Sequence, residues 1–196
     1  MHYSVLQHKF LEDDISYHRP NAIIPPNVTL NSPALSVMTD LKLASATTVS
    51  PNETIDHALE LMKLRGVRLL LVVNVADTIV GLITALDIAG ERPLQFTRDN
   101  SVPRKSITVA DIMTPRKDIE VLLIKDVSGA RVGDIVETRK QTSRQHALVA
   151  DFQGANNRKT IRGIISLNQI ARQLGIQIQT YEVAHTLAEI AHIMHK

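Results

Sequence analysis

The chain has 196 residues, 44% of them hydrophobic, and 22 basic against 20 acidic side chains give a net charge of +2. That length and apolar content suit one compact domain or two small ones packed together. So small a charge surplus is a weak footprint for nucleic acid, and three Phe, three Tyr and no Trp leave few platforms for stacking bases. The absence of cysteine excludes disulfides, thiolate zinc sites and a cysteine nucleophile, and it fits a reducing compartment.

Residues 1–32 open with "MHYSVLQHKFLEDD", which has no cationic n-region and no apolar h-region, so a secretory leader is not expected. They end in "NAIIPPNVTLNSP", which predicts extended chain lying over the surface or on a partner copy. The stretch "ATTVS" (46–50) is β-rich and stops at Pro51, so it predicts a short strand. In "NETIDHALELMKLR" (52–65), Ile55, Ala58, Leu59 and Met62 recur at helical spacing, with acids early, bases late and Gly66 as the stop. "RLLLVVNV" reads as a strand buried on both faces. A turn at "ADT", a second strand "IVGLIT" and a short helix "ALDIAG" complete a β-α-β-β-α order. The longest apolar run, "LLLVV", is too short to span a bilayer, so a cytoplasmic protein without a membrane anchor is expected.

Residues 91–107 carry Arg92, Arg98, Arg104 and Lys105. Together with Arg158 and Lys159 these offer a basic patch, but a solvated crossover is the simpler reading, and nucleic acid is not an expected partner. The same order then returns. "EVLLI" (120–124) is a strand, "RVGDIVETRKQ" (131–141) a weaker helix, "HALVADF" (146–152) and "TIRGIIS" (160–166) a strand pair, and "LNQIARQLG" (167–175) a closing helix. The loop "QGANNRK" absorbs most of the extra length of this copy. In "YEVAHTLAEIAHIMHK" (181–196), Val183, Leu187, Ile190 and Met194 form one helical stripe, suited to packing on the domain or on a second copy. His185, Glu189 and His192, with His195 nearby, have spacing that a metal such as zinc would accept, but a solvated polar face is the plainer reading and no metal is expected. There is no His-Glu-x-x-His, Walker loop or Gly-x-Ser-x-Gly, so catalysis is not expected and no catalytic residue is assigned.

Two short motifs mark the repeat. "SVMTDL" (36–41) returns as "DIMTPR" (111–116), and "GLITALDI" (81–88) returns as "GIISLNQI" (163–170). The division that follows is an N-terminal extension (1–32), a first repeat (33–91), a linker (92–107), a second repeat (108–175) and a C-terminal amphipathic helix (176–196). Over about residues 34 to 175 these motifs resemble a tandem pair of CBS domains, the Bateman module. The resemblance implies an α/β (α+β) fold of two β-α-β-β-α units packed about a pseudo-twofold, with two clefts between them. It further implies an adenosine-containing ligand (AMP, ADP, ATP or S-adenosylmethionine) as regulator, a homodimer, and an output that reaches an unidentified protein partner through association. The alternative is a ligand-free scaffold or dimerisation module.

Thr84 and Asp87 carry the sharper question. Thr-x-x-Asp where a strand turns into a helix is close to a capping box, worth about 1 kcal/mol. The resemblance gives the same pair a second role, ribose and phosphate binding. It implies a first cleft of Thr84 and Asp87 with Thr114, Ile119, Arg144, Gln145 and His146, and Arg68 as a phosphate contact near the centre. The second cleft would join Ser166 and Gln169 to Thr39, Ala44, Val67 and Leu69. There Ser166 and Gln169 keep the capping pattern but lack the carboxylate, and Gln145 stands where the first copy has Arg68. Neutral Gln169 cannot offer charge-assisted acceptor bonds, so the second cleft is the weaker one. The reduced cationic charge favours a mono- or diphosphate, or S-adenosylmethionine, over ATP.

Overall fold

A computed structural model describes residues 28–142, 145–152 and 159–175. Most of the N-terminal extension, Arg144, Arg158, the greater part of "QGANNRK" and the C-terminal helix with its histidines lie outside the described residues. In chain order come a 3-10 turn (Ala34–Val37), β1 (Met38–Asp40), β2 (Thr48–Val49), α1 (Ile55–Arg65), β3 (Leu69–Val73), β4 (Ile79–Thr84) and α2 (Ala85–Ala89). Next are α3 (Arg92–Asn100), α4 (Val109–Ile112), β5 (Thr114–Pro115), β6 (Val121–Leu123), α5 (Ile124–Gly129), α6 (Val132–Thr142), β7 (His146–Asp151), β8 (Thr160–Ser166) and α7 (Leu167–Gln173).

Local chemistry sets the elements. In α1 the Thr54 hydroxyl accepts the His57 N–H at 3.2 Å, which satisfies one of the donors a helix start leaves open. At the other end Gly66 takes the left-handed conformation (φ 64°) that closes a helix without a Cβ penalty. Strand β3 is buried on both faces, and its side chains alternate between two cores. Leu70 and Val72 pack with Ile55, Ala58, Met62, Ile83 and Ile88 beneath the helices of the first copy. Leu69 and Leu71 point the other way, where they meet Leu82 and Leu148. This central layer, which Ile119, Val121, Ile161 and Ile164 extend, contains residues of both sheets and joins the two copies.

The sheets run β2-β3-β4-β5 and β1-β8-β7-β6. Each therefore ends in a strand from the opposite copy. β1 pairs antiparallel with β8, Met38 opposite Ile165 and Asp40 opposite Gly163. β5 pairs antiparallel with β4, Gly81 opposite Pro115 and Leu82 opposite Thr114. The segments leading into these strands are exchanged as well. The N–H groups of Ile55 and Val109 bond the carbonyls of Ile107 and Glu53, while those of Ala34 and Val132 bond the carbonyls of Ala130 and Ser32. Ile107, Val109 and Ile112 accordingly fill the first copy's core, and Val28, Ala34 and Val37 fill the second's. The salt bridge Arg162–Asp40, 2.6 Å long and largely shielded from solvent, pins β1 to its adopted sheet.

Two elements differ from expectation. The stretch 91–107, expected as a crossover, contains α3, which starts with Pro93 in its first turn, where the missing N–H costs nothing. Ile124, expected to close β6, opens α5, an additional helix that the polar stretch after it does not signal. Among the described residues no helix is long and apolar enough to cross a membrane.

The repeated motifs meet at the exchanged strands. A Cβ built on Gly81 would lie 2.5 Å from Met113 Sδ and 2.8 Å from the Thr114 carbonyl. At Gly163 it would lie 2.5 Å from Met38 Sδ and 3.0 Å from the Thr39 carbonyl. Methionine can swing aside, but the backbone carbonyl beside Gly81 cannot move without displacing β5. Gly81→Ala should therefore destabilise the protein by about 1–3 kcal/mol, the usual cost of overpacking, in chemical denaturation. A change below 0.5 kcal/mol, on the order of an ordinary surface substitution, would show that β5 is not held this closely.

Candidate functional site

The exchange places parts of both copies around one cleft. A cavity of about 250 Å³ is lined by Leu69, Leu82, Thr84, Leu86 and Asp87 from the first copy, by Arg92, and by Thr114, Ile119, Glu120, Gln145, His146 and Leu148 from the second. Six residues expected in the first cleft, Thr84, Asp87, Thr114, Ile119, Gln145 and His146, are thus brought together. Arg144 lies outside the described residues. Arg68 lines the neighbouring cavity of about 540 Å³ with Val67, Leu86, Gln145 and Arg172, and its charge acts on His146 of the cleft.

Asp87 closes a complete capping box. Its Oδ2 accepts the Thr84 N–H at 2.8 Å and the Thr84 hydroxyl at 2.7 Å, and the Asp87 N–H donates to Thr84 Oγ1 at 3.2 Å. Its other oxygen faces Arg92 Nη1 at 3.0 Å, with the Asp87 side chain only 14% exposed. The same Nη1 donates to the Ile112 carbonyl at 2.8 Å and lies 3.5 Å from Thr114 Oγ1, so Arg92 ties Asp87 to the exchanged strand β5. Sequence reasoning misses Arg92 at this site. It stands in a run of basic residues that reads as a solvated crossover, and only its closeness to Asp87 along the chain hints at pairing.

His146 is opposite Ser166 across the β7–β8 pair and partly enclosed in the cleft wall. Burial, together with the positive charge of Arg68, lowers its pKa from 6.5 to about 4, against the smaller opposing pull of Asp87. The imidazole is therefore neutral at physiological pH and offers one donor and one acceptor. The cleft combines aliphatic walls, neutral hydrogen-bonding groups and one carboxylate–guanidinium pair. Among the described residues no group of three or more His, Asp or Glu side chains is arranged to hold a metal.

The residues expected in the second cleft are not gathered in the same way. Leu69 lines the first cleft, and Val67 lines the neighbouring cavity. Thr39 sits in β1 opposite Ile164, and the Ala44 N–H is bound to the Asp40 carbonyl at 3.0 Å. None of four well-formed cavities among the described residues is lined by Ser166, Gln169, Thr39 or Ala44. Ser166 does precede α7, but its side chain makes no cap hydrogen bond, which corrects the expectation that the capping box survives in the second copy. Gln169, at the position of Asp87, carries no charge.

Residues 36–93 of the chain match the family model of the CBS domain. Its fold is similar to that of a conserved protein from Pyrococcus horikoshii, with TM-score 0.54, 20% identity, 78% of this chain and 99% of that one covered. A protein with CBS domains from Burkholderia ambifaria aligns with TM-score 0.50 and 23% identity over 70% of this chain and 89% of its own. Because this coverage exceeds the first copy, the likeness of fold includes the second. A protein from Methanocaldococcus jannaschii aligns with TM-score 0.51 and 22% identity over 71% of this chain, which spans about half (49%) of that one. Comparison with curated proteins returns no match.

The lowered His146 pKa has a measurable consequence. An unfolded His146 binds a proton near pH 6.5, the folded one near pH 4. Between those values the unfolded chain holds more protons, so stability falls as pH is lowered from about 6.5 to about 4, and the contribution is constant above that window. Denaturant midpoints across this range should fall more steeply for the wild type than for His146→Gln. Parallel slopes would contradict the buried neutral imidazole.

Proposed function

We propose that the cleft between the two copies binds an adenosine-containing ligand and that the protein is regulatory, transmitting occupancy through association. The observation that carries this reading is the convergence of Thr84 and Asp87 with Thr114, Ile119 and His146 of the other copy in one cavity. A vicinal diol suits a carboxylate acceptor, a flat base suits the aliphatic walls of Leu69, Leu82, Ile119 and Leu148, and neutral His146 and Gln145 suit the polar edge of a base. A ligand there touches both copies and so biases how they sit together, which is how occupancy shifts an equilibrium. The cavity shared by Leu86 and Gln145 is walled largely by apolar side chains of α1 and α2, among them Leu59, Met62 and Ala89, which supports a second copy of the chain as the first partner.

A ligand-free scaffold is the competing reading, favoured by the fact that Asp87 is already bonded to Thr84 and Arg92. Calorimetry with AMP, ADP, ATP and S-adenosylmethionine separates the two. At least one should bind, and Asp87→Asn, which keeps an acceptor for the cap but loses the charge, should weaken it roughly ten- to hundredfold. No heat and no thermal shift with any of the four, in a protein that remains an intact dimer, would select the scaffold.

A further inference from the structure

The cavity of about 540 Å³ over α1 and α2 is an open groove with apolar walls. Leu86 is 50% exposed there and Ala89 is exposed beside it, over a floor of Leu59 and Met62. An apolar opening rimmed by polar side chains marks an interaction site. Its charged walls are Lys63, Arg68 and Arg172, and among the described residues no acid lines it. The occupant that matches this chemistry is an amphipathic segment with acids beside its apolar stripe.

The chain carries such a segment. In residues 181–196 the stripe Val183, Leu187, Ile190 and Met194 has Glu182 and Glu189 along one flank, each directly before a stripe residue, while His185 and His192 fall on the far side. The described residues also end beside the groove. Arg172, one of its walls, lies in the last turn of α7, and Gly175 follows in the left-handed conformation (φ 77°) that closes a helix. From Gly175 to Tyr181 the chain reaches at most about 20 Å. A tether that short sets an effective concentration on the order of 1 mM, so the segment meets its own groove before a second copy does.

We propose that residues 181–196 dock in the groove of their own chain, the stripe against Leu86 and Ala89 and the acids toward Lys63, Arg68 and Arg172, and so compete with a second copy for that surface. The competition, though not the docking, rests on the groove being where a second copy binds. The chain has no cysteine, so two introduced ones carry labels cleanly. Spin labels at Arg65→Cys, exposed on α1 outside the groove, and at His192→Cys, on the polar side of the segment, report their separation by pulsed electron resonance in the full chain. Circular dichroism verifies that each variant is folded. One narrow distance distribution is expected, unchanged when labelled protein is diluted into unlabelled. Leu187→Glu in the stripe and Ala89→Glu in the groove should each broaden it. In sedimentation of unlabelled protein, Leu187→Glu should associate about tenfold more tightly than the wild type, the gain when a surface closed in about nine chains of ten is freed. Ala89→Glu should associate more weakly. A distribution already broad in the wild type, a narrow one lost on dilution, or one that survives Ala89→Glu would overturn the docking. Association unchanged by Leu187→Glu would overturn the competition. If the wild type and Leu187→Glu both stay monomeric at every concentration, association through this groove falls and the competition with it, while the distances alone decide the docking.

Discussion

The exchange of leading strands is the constraint on which the rest of the structure depends. Met113 lies against Gly81 and Met38 against Gly163, each in the narrow space that a missing side chain opens in the neighbouring copy. Without that close approach β5 would not reach β4, and β1 would not reach β8. Neither copy would keep its core, because Ile107, Val109 and Ile112 serve the first and Val28, Ala34 and Val37 the second. The cleft is a product of the same exchange. Thr114 is carried into contact with Arg92 by the strand it begins, and it brings the wall at Ile119 alongside Thr84 and Asp87.

Asp87 shows how folding and binding chemistry come to share one side chain. Half of its carboxylate finishes the start of α2, and the other half faces the cleft and Arg92. The second copy separates these roles by omission. Ser166 begins α7 without a side-chain cap, and Gln169 offers no charge, so that end of the repeat has retained its geometry and lost its electrostatics. The pseudo-twofold is thus accurate for the backbone and broken at the chemistry. The same holds where Arg68 and Gln145 correspond: their carbonyls accept equivalent bonds from Ala85 and Leu167, both at 2.9 Å, while only one of them carries a charge.

The β-α-β-β-α order, the doubly buried β3 and the limits of α1 are legible in the amino-acid sequence through apolar spacing, capping and Gly66, since these signals are local. The members of the cleft follow from the motif resemblance, and six of them do line one cavity. Three features give no such signal. The exchanged strands are only two or three residues long, too short for any alternation to show. The role of Arg92 depends on α3 turning it back toward α2, which its place in a run of basic residues does not signal. Which cavity Arg68 lines is decided by the way the chain faces as it enters β3, and one residue of register changes that.

The central claim is that a ligand bridges the two copies at Asp87. The most direct measurement is a crystal structure of the protein grown with AMP. The account predicts nucleotide between Thr84–Asp87 and Ile119–His146, with its two ribose hydroxyls on the Asp87 carboxylate. An empty cleft at saturating AMP, or nucleotide bound instead beside Ser166 and Gln169, would contradict it.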